Sequence, residues 1–144
     1  MRWLPLVPLA VCSGPLLLTD IREHRLPNGW NLLLAAGALV AHASTAWQTG
    51  TIAPVVTSLG IGLVGLLGLL AIHVLTRGGI GMGDVKLVGA LGCFAADPFV
   101  LFLLVFAGFV LAGCWVVVGR VALHERIAFG PFLLFGTWLV VAVS

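Results

Sequence analysis

Long apolar runs, broken at five places by polar or glycine-rich joints, set the pattern of this 144-residue chain. Apolar windows predict helical segments at about 3–19, 29–47, 54–75, 84–96, 99–119 and 128–143. Four of these hold 17 to 22 residues, near the length needed to cross about 30 Å of hydrocarbon. The other two are short. Thirteen helical residues rise only about 20 Å, so segment 84–96 must borrow from the joint before it or be a re-entrant piece. The connections are 20–28, 48–53, 76–83, 97–98 and 120–127. In the third segment Gly62, Gly65 and Gly68 lie three apart and roughly share a face, and Gly89 and Gly92 offer a similar surface in the fourth. Small residues at that spacing suit close helix packing.

Composition decides the solvent. The chain is 61% hydrophobic and 8% charged, with a mean hydropathy of +1.21, whereas a soluble domain averages about 25% charged residues. Such a chain cannot clothe a water-facing surface, so an all-α, polytopic membrane bundle of about six transmembrane helices is expected. Its 144 residues leave room for a single integral-membrane domain, 1–144. The net charge of +2 and the absence of a long basic run do not suggest nucleic acid. Cys12, Cys93 and Cys114 lie in apolar stretches without ligand spacing and read as small buried hydrophobes. His24, His42, His73 and His124 do not form a ligand spacing either, so no metal is expected. The five tryptophans read as interfacial anchors and packing. Pro5, Pro8 and Pro15 interrupt the first apolar run, and no clean small-x-small site precedes Asp20, so that run is read as an uncleaved span.

Charge gives the orientation. Arg22, Arg25, Arg77, Lys86, Arg120 and Arg126 fall in or beside the first, third and fifth connections, and only Arg2 lies on the other side. The excess of positive charge predicts those connections to be cytoplasmic, with both termini outside. Asp20, Glu23, Asp84 and Glu125 fall on the same side, and Asp97 on the other.

The stretch with chemistry in it is Gly79-Ile80-Gly81-Met82-Gly83-Asp84-Val85-Lys86-Leu87. An aspartate in an apolar membrane segment is costly, at roughly 2.5 kcal/mol or more, and is a functional-site hypothesis by default. Alternating Gly79, Gly81 and Gly83 are expected to let the backbone take positive φ and let another chain approach. Asp84 would open the fourth segment, where the helix dipole favours an anion. Lys86, two residues on, does not share its helical face and would snorkel or restrain a loop. The partner expected for Asp84 is Asp20, at the head of Asp20-Ile21-Arg22-Glu23-His24-Arg25-Leu26-Pro27-Asn28. Pro27 disfavours helix at Leu26, and Asn28 is expected to cap a helix starting at Gly29. Asp20 has a plainer reading as an interfacial charge satisfied by Arg22, Arg25 or water. Two carboxylates brought close cannot both ionise readily, and a pair sharing one proton can activate a water and polarise a carbonyl together.

These residues carry a resemblance. Gly81-Met82-Gly83-Asp84-Val85-Lys86-Leu87 resembles the GxGDxKL signature of the type IV prepilin peptidases, intramembrane aspartic proteases. Asp20 through Asn28 is similar to that family's first acid followed by Arg-x-Pro-Asn, here Arg25, Leu26, Pro27 and Asn28. Ile127-Ala128-Phe129-Gly130-Pro131-Phe132-Leu133-Leu134-Phe135-Gly136 resembles its Phe-Gly-Pro block. The resemblance implies Asp20 and Asp84 as the catalytic pair, supported by Gly81, Gly83, Lys86, Arg25, Pro27, Asn28, Gly130 and Pro131. It implies cleavage of a short basic leader from prepilin-like precursors at the cytoplasmic membrane border, without a cofactor. Larger members carry a cytosolic region with paired cysteines, associated with methylation of the new N-terminus. This sequence has no such pair, so peptidase activity alone is expected, as in the short forms that serve Tad-type or archaellin-like systems.

A basic leader needs an acidic reception, for which Glu23 and Glu125 are the candidates; both can equally serve as partners for Arg22, Arg25 or Arg126. Two other classes compete with a protease. Intramembrane acids beside broken helices also suit a proton- or ion-coupled transporter, though these acids gather at one membrane face and no inverted repeat is visible. A non-catalytic assembly subunit is the third reading, and the presence of both acids argues against it. Neither the precursor nor the oligomeric state can be read from the chain.

Overall fold

A computed structural model describes residues 6–23, 27–119 and 129–143. The described residues form six α-helices: α1 (Leu6–Glu23), α2 (Asn28–Thr49), α3 (Ala53–Leu75), α4 (Met82–Ala95), α5 (Pro98–Gly119) and α6 (Gly130–Val143). Every apolar segment read from the sequence is one of these helices. Among them α3, over 23 residues, and Pro98–Val118 of α5, over 21, are long and apolar enough to cross a membrane. Both leave most of their surface uncovered, and large apolar side chains such as Leu63, Val64, Phe102 and Phe106 point outward. Such a surface fits lipid and not water. The other helices fall short of those conditions, so six crossings go beyond what length and composition establish. At 14 residues, α4 and α6 rise only about 21 Å each.

The middle of the assembly is α4. Its residues Leu87 to Phe94 are all buried, and it packs against α2, α3, α5 and α6, most extensively against α3. Because α4 is short, its last carbonyls need partners from elsewhere. Ser58 of α3 donates to the Cys93 carbonyl at 2.6 Å, and His42 Nε2 of α2 meets the Phe94 carbonyl at 3.4 Å. Ala96 then turns the chain in the left-handed region, at φ 49°. Asp97 follows, its Oδ1 accepting from the amides of Phe99 and Val100 at 2.8 and 3.1 Å. The lone acid of the fourth connection is therefore a helix cap.

Glycine sets how near α3 comes to α4. A Cβ on Gly92 would stand 2.8 Å from both the Gly62 Cα and the Ile61 carbonyl oxygen, and one on Gly65 would stand 3.2 Å from the Val88 carbonyl oxygen. The packing surface expected on Gly62, Gly65, Gly89 and Gly92 is therefore present. Gly68, expected to join it, faces open space. An equivalent contact joins α5 to α6, where a Cβ on Gly136 would stand 2.8 Å from the Gly108 amide nitrogen. Sequence spacing did not single that pair out.

Two boundaries differ from expectation. Asp20 lies inside α1, which runs on to Glu23, and not in the connection after it. Asn28 is the first residue of α2 and makes no capping bond; Pro27, at φ −67° and ψ 130°, stands at the cap position. Its ring fixes φ just where the chain turns into the helix.

The glycine contacts give a paired prediction. Gly92→Ala forces backbone against backbone and should cost about 1–3 kcal/mol, seen as a lower melting temperature in detergent. Gly68→Ala meets nothing and should be neutral or stabilising by up to about 1 kcal/mol. Equal melting temperatures for the two variants would contradict the close approach.

Candidate functional site

The site is built where three helix ends meet: the end of α1, the start of α2 and the start of α4. Asp20, in the last turn of α1, is 5% exposed. Asp84, in the first turn of α4, is half-buried. There the unpaired amides of a helix N-terminus favour negative charge. Helix α6 packs on α1 and, to a smaller extent, on α4, and its first residues Gly130 and Pro131 are buried. Proline suits that opening turn because the amide it lacks has no helical acceptor there.

The joint before α4 works differently from the expected pattern. Its left-handed residues are Arg77, at φ 52°, and Gly78, at φ 89°, and not the alternating Gly79, Gly81 and Gly83. Gly81 is extended, at φ −64° and ψ 138°, which any residue adopts. Its lack of a side chain matters for another reason. A Cβ at Gly81 would stand 3.0 Å from Asp84 Oδ2, so glycine there leaves room for the carboxylate. Gly83 is half-buried beside Asp84. His73, near the end of α3, braces the joint, with Nδ1 2.6 Å from the Ile80 carbonyl oxygen. Sequence reading weighed His73 only as a metal ligand and missed this role; its place one turn before the glycines was the available signal.

Lys86 and Asn28, from two separate motifs, meet directly: Lys86 Nζ donates to Asn28 Oδ1 at 2.8 Å. That bond ties the first turn of α4 to the first residue of α2. Lys86 thus faces α2, away from Asp84, as their spacing predicts. Arg25 and Glu125 lie outside the described residues, as does the side chain of Glu23, so the structure does not bear on the leader-binding candidates or on Arg25. Among the described residues no three His, Cys, Asp or Glu side chains gather as a metal site.

The two acids act on one another. Asp84 stands at the loop end of α4, outside both candidate spans. Burial, and after it the negative charge of Asp20, push its carboxyl up to about 7. Near neutral pH a carboxyl so placed divides its time between acid and base, which suits both halves of proton-transfer chemistry.

That shift has a stability consequence. A carboxyl whose folded value is raised from 3.8 to about 7 binds its proton more tightly in the folded chain. The stability it contributes is fully present below the unfolded value and is lost as pH rises through the folded one. Asp84→Asn should therefore melt near the parent temperature in acid and above it, by on the order of a few degrees, once pH passes about 7. A pH-independent difference in melting temperature would show that Asp84 is not shifted.

With this geometry in hand, comparisons with known proteins are informative. Neither curated proteins nor solved structures gave a match. One family model does match, over residues 7–117, a stretch that contains Asp20, the glycine joint and Asp84. By that match, which takes in well over half of its residues, the chain belongs to the type IV leader peptidase family.

Proposed function

We propose that the protein is an aspartic endopeptidase that removes the short basic leader from type IV prepilin-like precursors at the cytoplasmic border of the cell membrane. Membership of the family implies a protease and prepilin-like substrates. The single observation that carries the finer reading is the electrostatic coupling of Asp84 to Asp20, two acids from opposite ends of a long sequence separation. The transporter alternative gains no support from the family.

In the proposed reaction the carboxylate of the pair takes a proton from a water, whose oxygen attacks the carbonyl carbon of the scissile peptide. The carboxylic acid of the pair donates its proton to the carbonyl oxygen as the tetrahedral adduct forms. As the adduct collapses and the C–N bond breaks, the acid of the pair protonates the leaving nitrogen and an adduct hydroxyl returns its proton to the pair, so the products are a carboxylic acid and an amine. The pair ends with one proton, as it began. Because the two acids titrate together, neither is assigned a fixed part. Acid–base help of this kind is worth about 10²–10⁴-fold, and positioning of the peptide supplies the rest. Gly81 and Gly83 leave room beside Asp84; Pro27 and the Lys86–Asn28 bond hold the start of α2 against α4. Gly130 and Pro131 open the helix that backs α1, and Arg25 belongs to the same motif as Pro27. Glu23 and Glu125 remain the proposed acidic reception for the leader.

The protein is read as multi-pass, with six helices in the bilayer, α4 reaching only part-way, both termini outside and the acids facing the cytoplasm. Support comes from the two long apolar helices and their exposed apolar side chains, and from the distribution of Lys and Arg. No methyltransferase activity, organic cofactor or metal is part of this proposal.

The test is co-expression with a prepilin-like precursor, reading processing as a gel shift. Asp20→Asn and Asp84→Asn should each lower the processing rate by at least about 10²-fold at unchanged protein level. Persistent processing by either variant would contradict the pair. Gly81→Ala, which crowds Asp84 Oδ2, should slow processing more than it lowers the melting temperature. A Glu23→Gln/Glu125→Gln double variant should lose its dependence on leader charge, and unchanged dependence would remove those two residues from the site.

A further inference from the structure

A groove of about 540 Å³ runs between α2, α3 and α4, on the side of α4 turned away from Asp84. One end is polar, formed by Asn28, Asn31 and Lys86; the walls beyond it are apolar, Leu63 and Leu66 among them. Two features at the polar end are unusual for a membrane protein. Asn31 is 4% exposed, and among the described residues neither Oδ1 nor Nδ2 of its carboxamide has a hydrogen-bond partner. A buried amide left so is costly, since its desolvation is not offset. Lys86 is held, among the described residues, by the neutral Asn28 amide oxygen and not by a carboxylate. Its ammonium therefore has two further donor hydrogens to offer at the mouth of the groove.

We propose that this groove is a binding site for an anionic phospholipid whose headgroup carries a hydroxyl, of the phosphatidylglycerol type. The phosphate accepts from the Lys86 ammonium and from the Asn31 Nδ2 hydrogens. The headgroup hydroxyl donates to Asn31 Oδ1, an atom that the lipid's phosphodiester cannot satisfy because it has no proton to give. One acyl chain follows the apolar walls toward Cys93, about 10 Å further along α4. The charge on Lys86 favours this occupant over a peptide with a basic leader, which the same ammonium repels. Since Lys86 sits two residues from Asp84, lipid bound here also steadies the first turn of α4. The site does not rest on the proteolytic reading and is tested without it.

The experiment uses purified protein in nanodiscs of phosphatidylcholine, with or without phosphatidylglycerol of the same acyl chains. Melting temperature is read by scanning fluorimetry and retained lipid by native mass spectrometry. Phosphatidylglycerol should raise the melting temperature by roughly 3 °C or more and stay bound on transfer to the gas phase. Asn31→Leu, which removes the carboxamide, and Leu63→Trp, which blocks the groove from its exposed rim, should both abolish the rise. Leu63 is 58% exposed, so a tryptophan there is not expected to disturb folding, and its melting temperature in pure phosphatidylcholine checks this. An equal rise with added phosphatidylcholine, a rise with inorganic phosphate, or the full rise in Asn31→Leu would overturn the proposal. Displacement of the lipid by precursor peptide would make the groove a peptide site and overturn it as well.

Discussion

Two acidic side chains, one buried and one half-buried, close enough for the charge of one to raise the other, are the constraint on which the rest of this protein depends. Left alone, Asp20 and Asp84 would repel, and the low dielectric around them would magnify the repulsion. The fold must hold them together despite it. The central helix, α4, is short enough to begin at the level of the joint that carries Asp84. Its far end closes on Ser58 and His42 after only 14 residues. Glycines at 62, 65, 89 and 92 let α3 clasp it closely. Burial, and after it that repulsion, then raise the Asp84 carboxyl to about 7, so that it can hold a proton near neutral pH.

Much of this was legible in the chain. All six helices follow from apolar windows, and the two acids stand out because each borders a long apolar run. The face formed by Gly62 and Gly65 was legible from spacing alone. The limits were equally physical. Spacing cannot say which member of a glycine row meets a neighbour, so Gly68 was grouped with residues it does not join, and the Gly108–Gly136 contact went unseen. Glycine was also read for its backbone freedom, when Gly81 is needed for the space it leaves and the positive φ falls on Arg77 and Gly78.

Helix ends were the harder part. The end of α1 was placed short of Asp20, since charged residues look like a connection, yet the helix carries Asp20 into its last turn. Asn28 has the right chemistry for a cap, but a cation from a distant helix took its oxygen first. Sequence reveals what a side chain can do locally and not which tertiary partner outbids the local one. The buried amide of Asn31 belongs to the same category: in the chain it is one polar residue in an apolar helix, and only its lack of side-chain partners among the described residues gives it meaning.

The central claim is that Asp20 and Asp84 share a proton, and its most direct measure is the pH dependence of kcat/KM for precursor cleavage by the purified enzyme. A proton held in common predicts a bell, with the basic limb falling as pH passes about 7. A rate that stays level through that limb would mean the acids ionise without sensing each other, and the shared proton would have to be abandoned.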